Sequence, residues 1–221
     1  MIPPKQYGAP VLGVIFDKDG TLHDTERVFW RAWKAAAEQM QVPDIESTIL
    51  HCTGMNLHDI GLFWKRKYPD IPFDSYIKLR NRFFEQFTAE DVPLRPGAME
   101  TLETLRERGY KLGLATSSNR DAATDHLKRT GMLDFFDGMA FGDMVQDGKP
   151  APDIYLLAAQ LIGVRPENCV GVEDSFNGIR SVHNAGMRAV MVPDLIRPTN
   201  DIRAILWAEC GSLTDILKIL P

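Results

Sequence analysis

VLGVIFDKDGTL (Val11–Leu22) runs apolar from Val11 to Phe16 and then breaks abruptly into Asp17, Lys18 and Asp19. Other short apolar runs behave in the same way. Tyr110 to Ala115 precedes Thr116, Cys169 to Val172 precedes Glu173, and Met139 to Phe141 and Ala189 to Val192 are two more. Continuous rather than alternating apolarity marks strands covered on both faces. Helical patterns lie between them, clearest at Ile154, Leu157, Ala158, Leu161 and Ile162, a stripe with i, i+3, i+4, i+7 and i+8 spacing. Strands alternating with helices predict an α/β fold, a doubly wound parallel sheet. Sheets of that kind collect ligands at the carboxyl ends of their strands, where Asp17, Thr116 and Glu173 fall.

Between residues 24 and 93 the rhythm stops, and helical periodicity appears without a convincing strand. Phe29, Trp33, Ala36, Ala37 and Met40 form one stripe. Leu57, Ile60 and Trp64 begin a second, and Ile77, Arg80, Phe83, Phe84 and Phe87 make a third. A crossover between parallel strands needs only about a dozen residues, so this segment is expected to be an inserted helical cap domain with its own small core. The α/β core then comprises residues 1–23 and 94–221. The hinges are expected after Leu22 and at Pro93 to Gly97, where two prolines and a glycine suit a boundary.

The chain has 221 residues, with 25 Lys and Arg against 30 Asp and Glu, a formal charge of −5. With 44% hydrophobic and 25% charged residues the composition is that of a folded globular protein. The mild acidity gives no basic face for nucleic acid. Cys52, Cys169 and Cys210 are odd in number, far apart and in no CxxC pair, which argues against a disulfide framework or zinc site. No apolar stretch is long enough for a bilayer span, and MIPPKQYGAP is unsuited to a signal peptide. These features predict a cytoplasmic protein, a monomer or weak dimer, with neither membrane nor nucleic acid as partner.

Four polar clusters follow the apolar runs in order, and each has a plainer alternative. In DKDGT, Asp17 and Asp19 can face one small space while Gly20 lets the backbone turn and Thr21 follows, or they are solvated acids of a turn. Thr116, Ser117, Ser118 and Asn119 offer hydroxyls and amides at a helix start, suited to a phosphate, although Ser118 or Asn119 can simply cap that helix. Lys149, in the stiff GKPAPD, can present a fixed positive charge or lie on the surface. Glu173 and Asp174 repel each other at a buried strand end unless a cation compensates, and magnesium prefers such oxygens; Asp174 or Ser175 can also cap a helix. Together the clusters supply a nucleophile, a proton donor, a metal site and phosphate-binding groups.

From Val11 through Val192 the chain resembles the haloacid dehalogenase superfamily, in particular its phosphatase branch that includes beta-phosphoglucomutase and phosphoglycolate phosphatase. The likeness rests on DKDGTLHDTE, LATSSNR, GKPAPDIY and GVEDSFNGIRSVHNAGM. It implies that Asp17 is a nucleophile forming an aspartyl phosphate, and that Asp19 is the acid and then the base. It implies a phosphate held by Gly20, Thr21, Thr116, Ser117, Asn119 and Lys149. Magnesium is implied at Asp17, the carbonyl of Asp19 and Asp174, with Glu173 as direct or water-bridged help.

The second acid, Asp19, argues against the dehalogenases and phosphonate hydrolases of the superfamily, which lack it. The mutases are closer. Phe29 stands where they usually carry a histidine, Leu57 follows Gly54 about where they carry a cap arginine, and Thr21 stands where valine is frequent. These departures favour hydrolysis of a small phosphomonoester, such as a sugar phosphate, over a mutase. Thr25, Trp33, Met55, Asn56 and His58 are candidates to face the leaving group, with Trp33 also suited to the cap's core. His51, His58, His126 and His183 are scattered and carry no assigned role. A non-catalytic phosphometabolite-binding regulator is the alternative of another class, one that would not be expected to keep all three of Asp17, Asp19 and Asp174.

Overall fold

A computed structural model describes residues 9–52 and 57–220, with only the backbone of His58. Six strands, β1 (Gly13–Phe16), β2 (Lys111–Thr116), β3 (Gly138–Phe141), β4 (Cys169–Glu173), β5 (Arg188–Met191) and β6 (Ala208–Glu209), form one sheet. The order is β3-β2-β1-β4-β5-β6 and every pairing is parallel. The chain adds β2 and β3 on one side of β1 and β4 to β6 on the other. The switch point therefore lies beside β1, where a doubly wound sheet opens a crevice at its carboxyl edge. Each expected apolar run lies on one of the first five strands; β6, two residues long, carries too little pattern to be read.

Alternation along the strands divides the side chains between two apolar layers. Val14, Phe16, Leu112, Leu114, Val170, Val172 and Val190 join one layer, whereas Ile15, Ala115, Cys169, Ala189 and Met191 join the other. The first layer is covered by α5 (Ala98–Glu107), α6 (Arg120–Arg129) and α10 (Ile216–Ile219), the second by α7 (Asp153–Leu161), α8 (Phe176–Asn184) and α9 (Asn200–Ile205). On α7 the buried face differs from the predicted stripe. Tyr155 and Ala159 join Ile154 and Ala158 inside, whereas Leu161 stands exposed. The Tyr155 hydroxyl has a buried acceptor, described below, and that bond decides which way the helix turns.

Residues Thr25–Val92 make a separate compact unit, and the rest of the chain makes the other. The smaller unit contains α1 (Thr25–Met40), α2 (Ile45–Cys52), α3 (Leu57–Lys67) and α4 (Phe73–Glu90). Its core is aromatic. Trp64 is fully buried and packs on Trp33, Tyr68, Phe73 and Tyr76, with ring centroids 4.1–6.3 Å away. The Tyr76 hydroxyl donates to the Trp33 carbonyl at 2.7 Å. Leu57, expected on this core's stripe, is instead exposed, and Tyr76, which the stripe omitted, is inside. The helix α2 carries no pattern that the sequence made visible.

Trp64→Ala removes the centre of this aromatic cluster and is expected to cost the unit about 3–5 kcal/mol. Urea unfolding followed by near-ultraviolet circular dichroism checks it, and an unchanged midpoint would refute the packing.

Candidate active site

The loop after β1 is held tightly by its own backbone. The Lys18 carbonyl accepts from the amides of Leu22 (3.0 Å) and His23 (2.9 Å), and the Gly20 amide donates to the His23 carbonyl at 2.8 Å. Gly20 has φ +84°, and a Cβ there would stand 2.3 Å from Oδ2 of Asp174. Glycine thus serves both the turn and the close approach of β4's trailing acid. The Asp17 amide donates to Val172 O at 3.0 Å, continuing the β1–β4 ladder and bringing Asp17 level with Glu173.

Lys149 is the centre of the buried set. Its Nζ lies 2.6 Å from Asp17 Oδ1, 2.6 Å from Glu173 Oε1 and 3.0 Å from the Ala115 carbonyl, which ties β1, β2 and β4 together. Its side chain is 7% exposed, so the surface alternative falls away. Burial pulls its ammonium toward neutrality, but Asp17 and Glu173 outweigh that effect and hold it charged, above the ordinary lysine value. Asp17 is pushed up to about 7, first by burial and then against the lowering pull of Lys149 by Glu173 and Asp19.

Glu173 accepts from Lys149 and from the Tyr155 hydroxyl (2.8 Å) on Oε1, and from Ser175 Oγ (3.0 Å) and N (3.4 Å) on Oε2. Burial, and then the negative charge of Glu173, raises Tyr155 well above an ordinary phenol, which keeps it a donor. Ser175, not Asp174, caps α8, accepting from the Gly178 amide at 3.0 Å. The first turn of α8 lies so close that a Cβ on Gly178 would sit 1.9 Å from the Glu173 carboxyl carbon.

Asp17, Glu173 and Asp174 are all buried and offer oxygens within 4.8 Å of one another. Three carboxylates faced by Lys149 leave two negative charges to balance in low dielectric, and an all-oxygen donor set of this kind fits a hard divalent cation. The Thr21 hydroxyl is turned toward Asp174 Oδ1 at 3.3 Å, so it steadies this acid.

Asp19 is pinned from another side. Its Oδ2 accepts from Ser118 Oγ at 2.8 Å and lies 3.5 Å from the buried Thr116 hydroxyl; its Oδ1 accepts from Lys18 at 2.6 Å. The Thr116 hydroxyl also accepts from the Ser118 amide at 3.1 Å. Asn119 caps α6 through Ala122 N at 2.9 Å, and Ser117 is exposed. The hydroxyl bonded to Asp19 belongs to Ser118, which the sequence offered with its neighbours for a phosphate or as a helix cap, not as a partner of the acids. Lys18, Tyr155 and Ser175 were also missed as partners of the acids. A lysine between two aspartates reads as solvated, and nothing local reveals an acceptor more than a hundred residues away.

Of the cap candidates, Thr25 and Trp33 are buried in their own unit, Trp33 within its aromatic core. Gly54, Met55, Asn56 and the His58 side chain lie outside the described residues. Phe29 pairs with Phe84 at 4.7 Å and lies under the Arg80 guanidinium at 4.6 Å. His126 was read as one of the scattered histidines, yet its Nδ1 lies 3.4 Å from Lys18 Nζ.

Buried acids, a lysine and hydroxyls gathered at the switch point of a parallel sheet are the equipment of a doubly wound α/β enzyme for an anionic substrate. The chain belongs to the haloacid dehalogenase-like hydrolases, whose family model matches residues 11–186. It is 34% identical over 213 residues to a phosphorylated carbohydrates phosphatase of Thermotoga maritima, covering 94% of this chain and 97% of that protein. It is also 33% identical over 225 residues to the beta-phosphoglucomutase of Bacillus subtilis, covering 94% and 99%. Among solved structures, CbbY from Rhodobacter sphaeroides in complex with phosphate superposes with a TM-score of 0.75 at 27% identity, over 93% of this chain and 96% of that one. The protein is an enzyme of this hydrolase family. Among the described residues no helix is long and apolar enough to cross a membrane.

His23 is fully buried and is pulled down to about 3, by burial first and then by Lys18. Its folded value lies below its unfolded value of 6.5, so on acidification the unfolded chain takes up a proton that the folded chain does not, and stability is lost as the pH falls below about 6.5. From pH 7.5 to pH 5 this costs about 2 kcal/mol. His23→Gln is expected to flatten the Tm–pH profile over that interval. Identical profiles would show that His23 does not set it.

Proposed function

We propose that the enzyme is a magnesium-dependent phosphatase that hydrolyses a small phosphomonoester, a sugar phosphate or similar metabolite, through an aspartyl phosphate on Asp17. The observation that carries this is the Asp17–Lys149–Glu173 arrangement beside Asp174, with a second carboxylate, Asp19, held apart on Ser118 and Lys18. Asp17 and Asp19 share a loop but have different partners, which allows one to attack while the other handles protons. The phosphatase and phosphate-bound relatives support the same chemistry.

In this proposal Asp17, Asp174 and the Asp19 carbonyl hold the magnesium ion, whose positive charge offsets the repulsion between the Asp17 carboxylate and a phosphate dianion. Glu173 fixes Lys149 through a direct ion pair. Lys149 neutralises the phosphate oxygens and Thr116, with Ser117 and the neighbouring backbone amides, hydrogen-bonds them. Thr21 also steadies Asp174, Asn119 also caps α6, and Gly20 lets Asp174 approach. Asp19 protonates the leaving oxygen and then deprotonates the water that cleaves the aspartyl phosphate. The helical unit is proposed to carry the residues that select among leaving groups.

The mutase reading stays as the second, favoured by the 33% identity to the Bacillus subtilis enzyme. A glucose 1-phosphate assay with a bisphosphate activator separates the two: hydrolysis releases inorganic phosphate, whereas a mutase yields glucose 6-phosphate. Absence of turnover across a broad phosphoester panel would instead favour the regulator.

With p-nitrophenyl phosphate, chelation by EDTA should abolish turnover and added magnesium should restore it. Asp17→Asn is expected to lower kcat by at least about a thousandfold with the fold retained; ordinary activity in that variant would discard the covalent mechanism.

Lys149→Ala should lower kcat/KM by about 100-fold or more and weaken inhibition by inorganic phosphate. Unchanged kinetics would remove Lys149 from the site.

A further inference from the structure

We propose that Lys18 is a positioning residue for Asp19, fixing which of its carboxylate oxygens serves the leaving group. The inference rests on the phosphatase reading and concerns a residue whose side chain lies in the interior rather than in the cluster around Lys149.

Lys18 is 1% exposed, among the largest fully buried side chains of the molecule. Its Nζ has two polar side-chain neighbours among the described residues, Asp19 Oδ1 at 2.6 Å and His126 Nδ1 at 3.4 Å. His126 is itself buried, and its ring meets that of His23 edge-on with centroids 6.2 Å apart. His23 in turn bonds the Thr130 hydroxyl through Nε2 at 3.1 Å, leaving its buried Nδ1 without a hydrogen-bond partner among the described residues. Burial, and then the charge of Lys18, pulls both rings toward neutrality. His126 can therefore accept from the ammonium but cannot balance it, and the anion in contact with Lys18 is Asp19. A buried ammonium left without that partner is strongly disfavoured.

This one-sided dependence orients the carboxyl group. Lys18 can only donate, so Oδ1 of Asp19 must accept. When Asp19 acts as an acid, its proton consequently resides on Oδ2, the oxygen that Ser118 approaches at 2.8 Å. In the first half-reaction an Asp17 oxygen bonds to phosphorus while the bond from phosphorus to the ester oxygen breaks. The proton on Asp19 Oδ2 passes to that ester oxygen, which leaves as the alcohol, and Asp19 remains as the carboxylate. An apolar residue at position 18 fills similar volume but removes the donor that marks Oδ1 as the accepting oxygen, while the Ser118 bond to Oδ2 stays.

The test compares kcat/KM, which reports the steps up to departure of the leaving group, for glycerol 3-phosphate and 2,4-dinitrophenyl phosphate. The alkoxide of the first needs a proton as it leaves, whereas the dinitrophenolate does not. Lys18→Met is expected to lower kcat/KM about 10–100-fold on the alkyl ester and less than about threefold on the aryl ester, with the fold retained and inhibition by inorganic phosphate unchanged. An equal fall on both esters, or no fall on either, would overturn the assignment. If Lys18→Met does not fold, Lys18→Gln provides the same comparison. Wild-type protein inactive on both esters would overturn the phosphatase reading itself, an outcome distinct from an unselective variant.

Discussion

A single buried ammonium holds the carboxyl edge of this sheet together. Lys149 bonds Asp17 after β1, Glu173 at the end of β4 and the Ala115 carbonyl in β2, so its charge spans three adjacent strands. Without it, two carboxylates would face each other in a medium that screens them poorly. Much of the surrounding structure serves this contact. Tyr155 brings α7 against Glu173 from one side, and Ser175 and Gly178 bring α8 against it from another.

That same arrangement leaves a surplus of negative charge, which makes it a site rather than only a structural tie. Three buried carboxylates against Lys149 fit a divalent cation. Asp19, although two residues from Asp17, belongs to a different set of partners: Thr116 at the end of β2, Ser118 from the loop after it, and Lys18 from the interior. Acids so close in sequence would otherwise behave alike. Separate hydrogen-bond partners give the two acids of one short loop different surroundings.

The two helical faces show the same principle in apolar form. Tyr155 is drawn inside by an acceptor on β4, and α7 turns accordingly, exposing Leu161. Within Thr25–Val92, Tyr76 is drawn inside by the Trp33 carbonyl, and the aromatic cluster forms around it. In each case a hydroxyl with a buried acceptor lies inside at a position that a stripe drawn from hydrophobicity alone omitted.

The apolar runs ending at Phe16, Ala115, Phe141, Val172 and Val192 were enough by themselves to determine a parallel α/β sheet, because strands covered on both faces must be apolar throughout. The run of helical periodicity from Phe29 to Phe87 likewise carried the helical character of the segment between β1 and α5. Four of the site's clusters were legible because each follows such a strand. What lay beyond the sequence was the pairing of polar groups. That Ser118 rather than Ser117 turns to Asp19, that Thr21 serves Asp174, that Asn119 is occupied at a helix end and that Lys18 lies inside against His126 all depend on where distant segments arrive. Hydrophobic periodicity is a local property, repeated every two or nearly four residues. A hydrogen bond between residues 18 and 126, or 149 and 17, is chosen only when the packed sheet and helices bring its two ends within about 3 Å.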